Sequence, residues 1–284
     1  MLEARGVLLA DGGTGTNYQD MGIEPGVAPE EWIFDEPDRV MDLHRSFAEV
    51  GCDLISTCTF GASPVRLQDG PLSGRVRDVN TRGAELARAA VGDDVLVAGS
   101  VGPTGQLTEP FGPLTKETAL EAFAEQAGAL ADGGVDVLML ETFFTLDEGR
   151  WAAEAIRTVS DLPIVISFSF DQGTRTMMGL SPADLTAAVD GLDLAALGAN
   201  CGRSLQDNAQ VAAEFLDAGL TAPLWIKPNA GVPQVTAEGV VYPEDPSSFA
   251  AQVAEIAQRG ARVVGGCCGS TPEHLAALAQ ALGR

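Results

Sequence analysis

Arg262-Val-Val-Gly-Gly-Cys-Cys-Gly-Ser-Thr-Pro-Glu-His274, RVVGGCCGSTPEH, is the stretch that decides the fold. It reads as a short β-branched run, a glycine-rich turn and a helix start. Seven similar units precede it. Their strand candidates are VLLADG (7–12), DLISTCTF (53–60), VLVAGSVG (95–102), DVLMLETF (136–143), PIVISFSF (163–170), AALGANC (195–201) and PLWIKPN (223–229). All are short and apolar, as strands of a parallel sheet buried on both faces are. RVVGGCC (262–268) brings the count to eight, which favours a closed (β/α)8 barrel over a doubly wound open sheet.

The stretches between the strands carry helical periodicity. Val40, Leu43, Phe47 and Val50 share one face, as do Leu120, Phe123, Ala127 and Leu130. Phe249, Val253 and Ile256 form a third stripe, and Leu275, Leu278 and Leu282 a fourth. One apolar face per helix suits packing onto a sheet. Gly51, Gly133 and Gly260 are expected to close their helices. Residues 13–37 form a long first connection, expected to cover the mouth of the barrel. We read residues 1–284 as one such domain.

Composition narrows the function classes. The net charge is −23, from 17 Lys and Arg against 40 Asp and Glu, and Lys116 and Lys227 are the only lysines. Such a chain repels nucleic-acid phosphates and anionic lipid. It has no apolar run of membrane-spanning length and no signal-peptide pattern, so a cytoplasmic location is expected. Five cysteines at 52, 58, 201, 267 and 268 are then expected to be reduced.

In a barrel, the C-terminal strand ends form the active-site rim. That places Asp11, Thr57, Thr59, Glu141, Cys201, Asn229, Cys267 and Cys268 together, although they are far apart in sequence. Cys201, Cys267 and Cys268 can supply three thiolates to one soft ion, zinc or copper(I), leaving a fourth position open. The competing readings are buried packing, which suits Cys52 and Cys58, and a strained Cys267–Cys268 disulfide. Neighbouring residues on a strand point to opposite faces, so the strand end must bend there, and the flanking glycines permit it. Asp11 and Glu141 can hold an ammonium group. The backbone amides of GGTGT (12–16) can hold a carboxylate. An amino acid with a thiol side chain would satisfy all three features. A metal-free lyase would instead use Lys227 as its base.

The motifs DGGTGT (11–16), STCTFGAS (56–63), VGPTG (101–105), LETF (140–143), GANCG (198–202), KPNAG (227–231) and GGCCGSTPEH (265–274) resemble the homocysteine S-methyltransferase family, in family order. LPIVISFSFDQGTRTMMG makes the chain similar to the homocysteine-binding module of cobalamin-dependent methionine synthase. The resemblance implies a (β/α)8 barrel whose Cys201, Cys267 and Cys268 bind zinc. It implies that Asp11, Gly12, Gly13, Thr57, Glu141 and Asn229 bind homocysteine, Asp11 and Glu141 acting in catalysis. It also implies that Asn229 fills the fourth zinc position when substrate is absent. Betaine–homocysteine methyltransferases have a tyrosine where Thr142 stands, and a C-terminal dimerisation arm without counterpart here. The implied methyl donor is therefore a small sulfonium such as S-methylmethionine, or a separate corrinoid protein. Two alternatives are a homocysteine-binding subunit of a split methionine synthase and a non-catalytic zinc-binding barrel.

Overall fold

The structure is a computed structural model that describes residues 2–189, 191–236 and 239–284. Among them, eight parallel strands form one sheet: β1 Leu8–Leu9, β2 Leu54–Ser56, β3 Leu96–Val101, β4 Val137–Phe143, β5 Ile164–Phe168, β6 Ala196–Cys201, β7 Leu224–Pro228 and, after the hairpin β8 Gln234–Thr236 and β9 Gly239–Val241, β10 Val263–Val264. The sheet closes on itself. β1 pairs with β10, and Leu9 O accepts from Asp53 N–H at 2.7 Å while Asp11 N–H donates to Leu54 O at 3.0 Å. The expected (β/α)8 barrel is the observed fold.

Side chains alternate along each strand. Leu9, Ile55, Val97, Leu138, Ile166, Leu197 and Ile226 face outward and pack under the helices. Leu8, Ala10, Leu54, Ala98, Met139, Val165, Ala196, Trp225 and Val263 fill the barrel interior. Two residues further along, the same alternation turns polar. Ala98 is followed by Ser100, Met139 by Glu141, Val165 by Ser167, Gly198 by Asn200 and Trp225 by Lys227. The barrel is thus plugged with apolar side chains below and lined with polar ones at its C-terminal end.

Several details depart from the sequence reading. β1 and β10 are two residues each, and Ala10 adds an isolated bridge to Leu54. Residues 13–37 are not one loop. They hold the helix Thr14–Asp20, the 3-10 turn Pro29–Glu31 and the helix Trp32–Asp35. The hairpin β8–β9 after β7 was not expected. Gly133 caps its helix as expected, but in the right-handed region (φ −76°), and Gly134 takes the left-handed turn (φ 85°). Gly133 is required for space, since a Cβ there would lie 2.7 Å from Ala84 Cβ.

Asp53 ties the other end of the barrel together. Its carboxylate is fully buried, accepts from Leu9 N–H at 2.8 Å, and is gripped by Arg284 at 2.5 and 2.6 Å and by Arg5. Hydrogen bonds to a charged group contribute about 1.5–3 kcal/mol. Asp53→Asn is accordingly expected to lower unfolding free energy by about 2 kcal/mol, read from the urea midpoint at constant slope. No helix among the described residues is long and apolar enough to cross a membrane.

Candidate active site

A cavity of about 510 Å³ opens at the C-terminal end of the barrel. Its wall includes Gly12, Gly13, Thr57, Glu141, Cys201, Lys227, Cys267 and Cys268. Ala28, Pro29 and Glu30 line it too, so the long first connection does reach the mouth. There Glu30 Oε1 accepts from Gly61 N–H at 2.5 Å, joining that connection to the loop after β2.

Cys201, Cys267 and Cys268 bring their sulfurs within 4.8 Å of one another. Each gets there through bent backbone. Cys201 ends β6 in the left-handed region (φ 57°). Cys267 and Cys268 lie beyond β10, in a turn closed by Ser270 N–H donating to Cys267 O at 3.1 Å, with Gly269 at φ 78°. Gly13 packs against that turn so closely that a Cβ would meet Cys267 O at 2.4 Å. The cysteine pair therefore escapes strand alternation, as a shared ligand set requires.

The three thiols interact. Hydrogen bonds among the sulfurs, then burial, push the Cys201 thiol up. Hydrogen bonds from Cys201 and Cys267 hold Cys268 well below the usual thiol range. Two sulfurs each about 2.3 Å from a tetrahedral ion lie about 3.8 Å apart, so this sulfur set suits a soft divalent or monovalent metal. The other cysteines differ. Burial pushes the thiols of Cys52 and Cys58 up, and they donate to Ala10 O and Pro29 O at 3.6 and 3.4 Å. The histidines also stay apart: His44 is buried in the helix Pro37–Glu49, and His274 caps the last helix at Thr271 N–H.

Glu141 lies on the cavity wall at a bulge in β4 and accepts from Ser100 Oγ–H. Burial raises its carboxyl to about 7, against the opposing pull of Lys227. The next residue, Thr142, has φ 65°. A β-branched residue in that region carries strain of about 1–3 kcal/mol, so its surroundings must hold it there.

Four expected site residues differ in position or in bonding from the sequence reading. Asp11 is fully buried beneath the cavity, where it accepts from Ser56 N–H at 2.7 Å, Ser56 Oγ–H at 2.9 Å and Lys227 Nζ at 2.6 Å. Its carboxylate partners an internal lysine. Asn229 is off the cavity wall. Its amide donates to Gly202 O at 2.9 Å and accepts from Cys268 N–H at 3.0 Å, stitching the two cysteine loops together. Gly13 N–H is taken by Ser270, at 3.2 Å to O and 3.1 Å to Oγ, so it is not free for a substrate carboxylate. Thr57 lines the wall but its hydroxyl is spoken for, bonded to Thr59 Oγ1 at 2.6 Å and accepting from Ser100 N–H at 2.9 Å.

Lys227 was read only as a possible lyase base. Burial alone would lower its pKa, but Asp11 and Glu141 outweigh that and hold it raised. A permanently charged ammonium has no lone pair to offer as a base. Asn200 was missed, although it stands inside the quoted motif GANCG. The signal for it was strand alternation, which turns residue 200 inward with Gly198.

The sequence profile of homocysteine S-methyltransferases matches residues 8–282. The chain belongs to the homocysteine S-methyltransferase family. Methionine synthase of Mycobacterium leprae is 30% identical over 300 residues, which cover 99% of this chain and 25% of that protein. Methionine synthase of Mycobacterium tuberculosis is 29% identical, over 97% of this chain and 24% of that protein. The chain thus spans about a quarter of the length of these curated relatives. Among solved structures, the metallated form of the homocysteine methyltransferase MmuM from Escherichia coli is 25% identical with a TM-score of 0.83, covering 98% of this chain and 96% of that one. Family membership accounts for the shared barrel.

Proposed function

We propose that this protein transfers a methyl group to the sulfur of homocysteine, giving methionine, with zinc held by Cys201, Cys267 and Cys268. The observation that carries this reading is the set of three sulfurs within 4.8 Å on the wall of a cavity that Glu141 shares. The metallated state of the Escherichia coli relative supports a metal here. Zinc in that thiolate set would lower the pKa of a substrate thiol, ordinarily near ~8.5, and supply thiolate at neutral pH.

The chain's own residues would do the rest. Ionised Glu141 receives the substrate ammonium by a charge-assisted hydrogen bond. Asp11 acts from behind, holding Lys227 charged and in place below Glu141. The cysteine loops, stitched by Asn229, fix where the substrate sulfur sits relative to that ammonium. The deprotonated sulfur then attacks the methyl carbon in line, forming the S–C bond as the donor's bond to that carbon breaks.

Glu141 gives this reading a pH signature. With a pKa of about 7, its ionised fraction falls roughly tenfold between pH 8 and pH 6. Homocysteine affinity is expected to carry an acid-side loss of that size, absent in Glu141→Gln; parallel calorimetric titrations of the two proteins would check it. The same shift acts on stability with the opposite sense. The folded state keeps the proton longer than the unfolded chain, so Glu141's contribution is most favourable below pH 4.5 and is lost as pH rises to about 7.

The relatives' length supports a second possibility for the donor. Methionine synthases carry about three-quarters of their chain outside the region matched here. In this second reading a separate corrinoid protein takes the place of the small sulfonium as methyl donor. A panel settles this: zinc-loaded protein with homocysteine against S-methylmethionine, betaine, methylcobalamin and a methylated corrinoid protein, with methionine as the readout. Turnover with a small sulfonium supports a self-sufficient methyltransferase. Turnover only with corrinoid protein supports the split-synthase subunit. Zinc and homocysteine binding with no turnover supports a non-catalytic barrel.

A further inference from the structure

Asn200 is buried, 1% exposed, in the polar upper layer of the barrel interior. Its side-chain amide has contacts on every side. Oδ1 accepts from Thr142 N–H at 2.8 Å and from Ser167 Oγ–H at 2.5 Å. Nδ2 lies 2.7 Å from Thr142 Oγ1, 3.5 Å from Cys201 Sγ and 3.7 Å from Cys267 Sγ. The orientation of the amide follows from this set. A backbone N–H can only donate, so the atom facing Thr142 N–H must be the oxygen. The NH2 group is thereby aimed at Thr142 Oγ1 and the two sulfurs. One of its protons satisfies the threonine hydroxyl, and the other is left for the sulfur pair.

We infer that Asn200 is a positioning residue of the metal site, donating a hydrogen bond shared by the Cys201 and Cys267 sulfurs while fixing the backbone that aims Glu141. This rests on the reading of the three cysteines as a zinc site. Three thiolates on one divalent ion leave an excess of negative charge, and a neutral N–H donor directed at two of them disperses it without adding a competing ligand. Hydrogen-bonding partners of metal ligands typically change metal affinity by about 10–100-fold when removed. The second half of the role is geometric. Thr142 holds a left-handed backbone next to Glu141, and Asn200 clamps both its N–H and its hydroxyl. One amide therefore registers the Glu141 carboxylate of β4 against the cysteines of β6 and the loop after β10.

The test uses two variants. Asn200→Ala removes the whole network. Asn200→Asp has nearly the same shape and keeps an acceptor for Thr142 N–H and Ser167, but replaces the donor facing the sulfurs with a negative oxygen. Zinc affinity, measured by competition with a chromophoric chelator, is expected to fall about 10–100-fold in Asn200→Ala and by at least as much in Asn200→Asp. In cobalt-substituted protein the sulfur-to-cobalt charge-transfer bands are expected to move to lower energy in Asn200→Ala, because sulfurs relieved of a hydrogen bond are more electron-rich. A purely structural role would leave those bands in place. If Asn200→Ala does not fold, the isosteric Asn200→Asp decides on zinc affinity alone. Wild-type zinc affinity in Asn200→Asp, or unshifted bands in a folded Asn200→Ala, overturns the inference. If the wild-type protein itself bound no zinc, the proposed function would fail first, and the two failures are thus distinguishable.

Discussion

Replacing Cys267 by alanine is expected to strip the protein of zinc and to lower methyl transfer by about 10³-fold or more. Two contributions make up that figure. A free thiol of pKa ~8.5 is only about 3% thiolate at neutral pH, so losing metal activation removes roughly 30-fold. Losing the anchor that fixes the sulfur beside the donor removes roughly another 10²-fold, the usual effect of a small misplacement. Two remaining cysteines are a poor zinc set, because structural and catalytic sites use at least three protein ligands. Cys52→Ala is the control. Cys52 is buried away from the cavity and its thiol donates to Ala10 O, so zinc content there is expected to remain that of wild type. Metal analysis and initial rates on the two variants side by side check both statements. Retention of a full zinc complement by Cys267→Ala would refute the ligand assignment.

Asp11→Asn is expected to act on the fold before it acts on chemistry. Asp11 and Lys227 are 0% and 3% exposed in their side chains and 2.6 Å apart. Removing one charge of a buried pair leaves the other uncompensated, at a typical cost of about 3–5 kcal/mol. An asparagine keeps one oxygen to accept from Ser56 N–H, but places an NH2 where the other oxygen accepted from Ser56 Oγ–H and Lys227, and it loses the charge. The loss should therefore appear as a lower denaturation midpoint with unchanged slope. Adding Lys227→Met to Asp11→Asn is expected to restore part of it, since the orphaned ammonium is then gone. Glu141→Gln provides the contrast: burial already disfavours its charge, so it should weaken homocysteine binding without comparable destabilisation. A midpoint for Asp11→Asn equal to wild type would mean that Lys227 finds another partner.

The contrast between Asp11 and the cysteines explains what could be read from the sequence. The barrel was legible because eight short apolar runs alternate with amphipathic helices, and both periodicities are local. The cysteine set was legible because thiols have few uses in a reduced chain and their strand ends converge in this fold. Asp11 was read as a substrate ligand because a carboxylate at a strand end ordinarily faces the mouth. Its pairing with Lys227 depends on how far each strand rises in the closed barrel, which no local pattern encodes. Asn229 was misplaced for a related reason. A side chain that can ligate a metal can equally satisfy backbone groups, and here Gly202 O and Cys268 N–H claim it. Asn200 was hidden by its neighbour: the cysteine in GANCG drew the chemical reading, while the asparagine beside it makes five contacts around the site.

The central claim is that Cys201, Cys267 and Cys268 hold zinc and leave one position for the substrate sulfur. X-ray absorption at the zinc edge of the zinc-loaded protein, recorded before and after adding L-homocysteine, tests it most directly. The account predicts three sulfur ligands and one lighter atom without substrate, and four sulfurs with it. An unchanged first shell on adding homocysteine, or fewer than three sulfurs at the start, would contradict it.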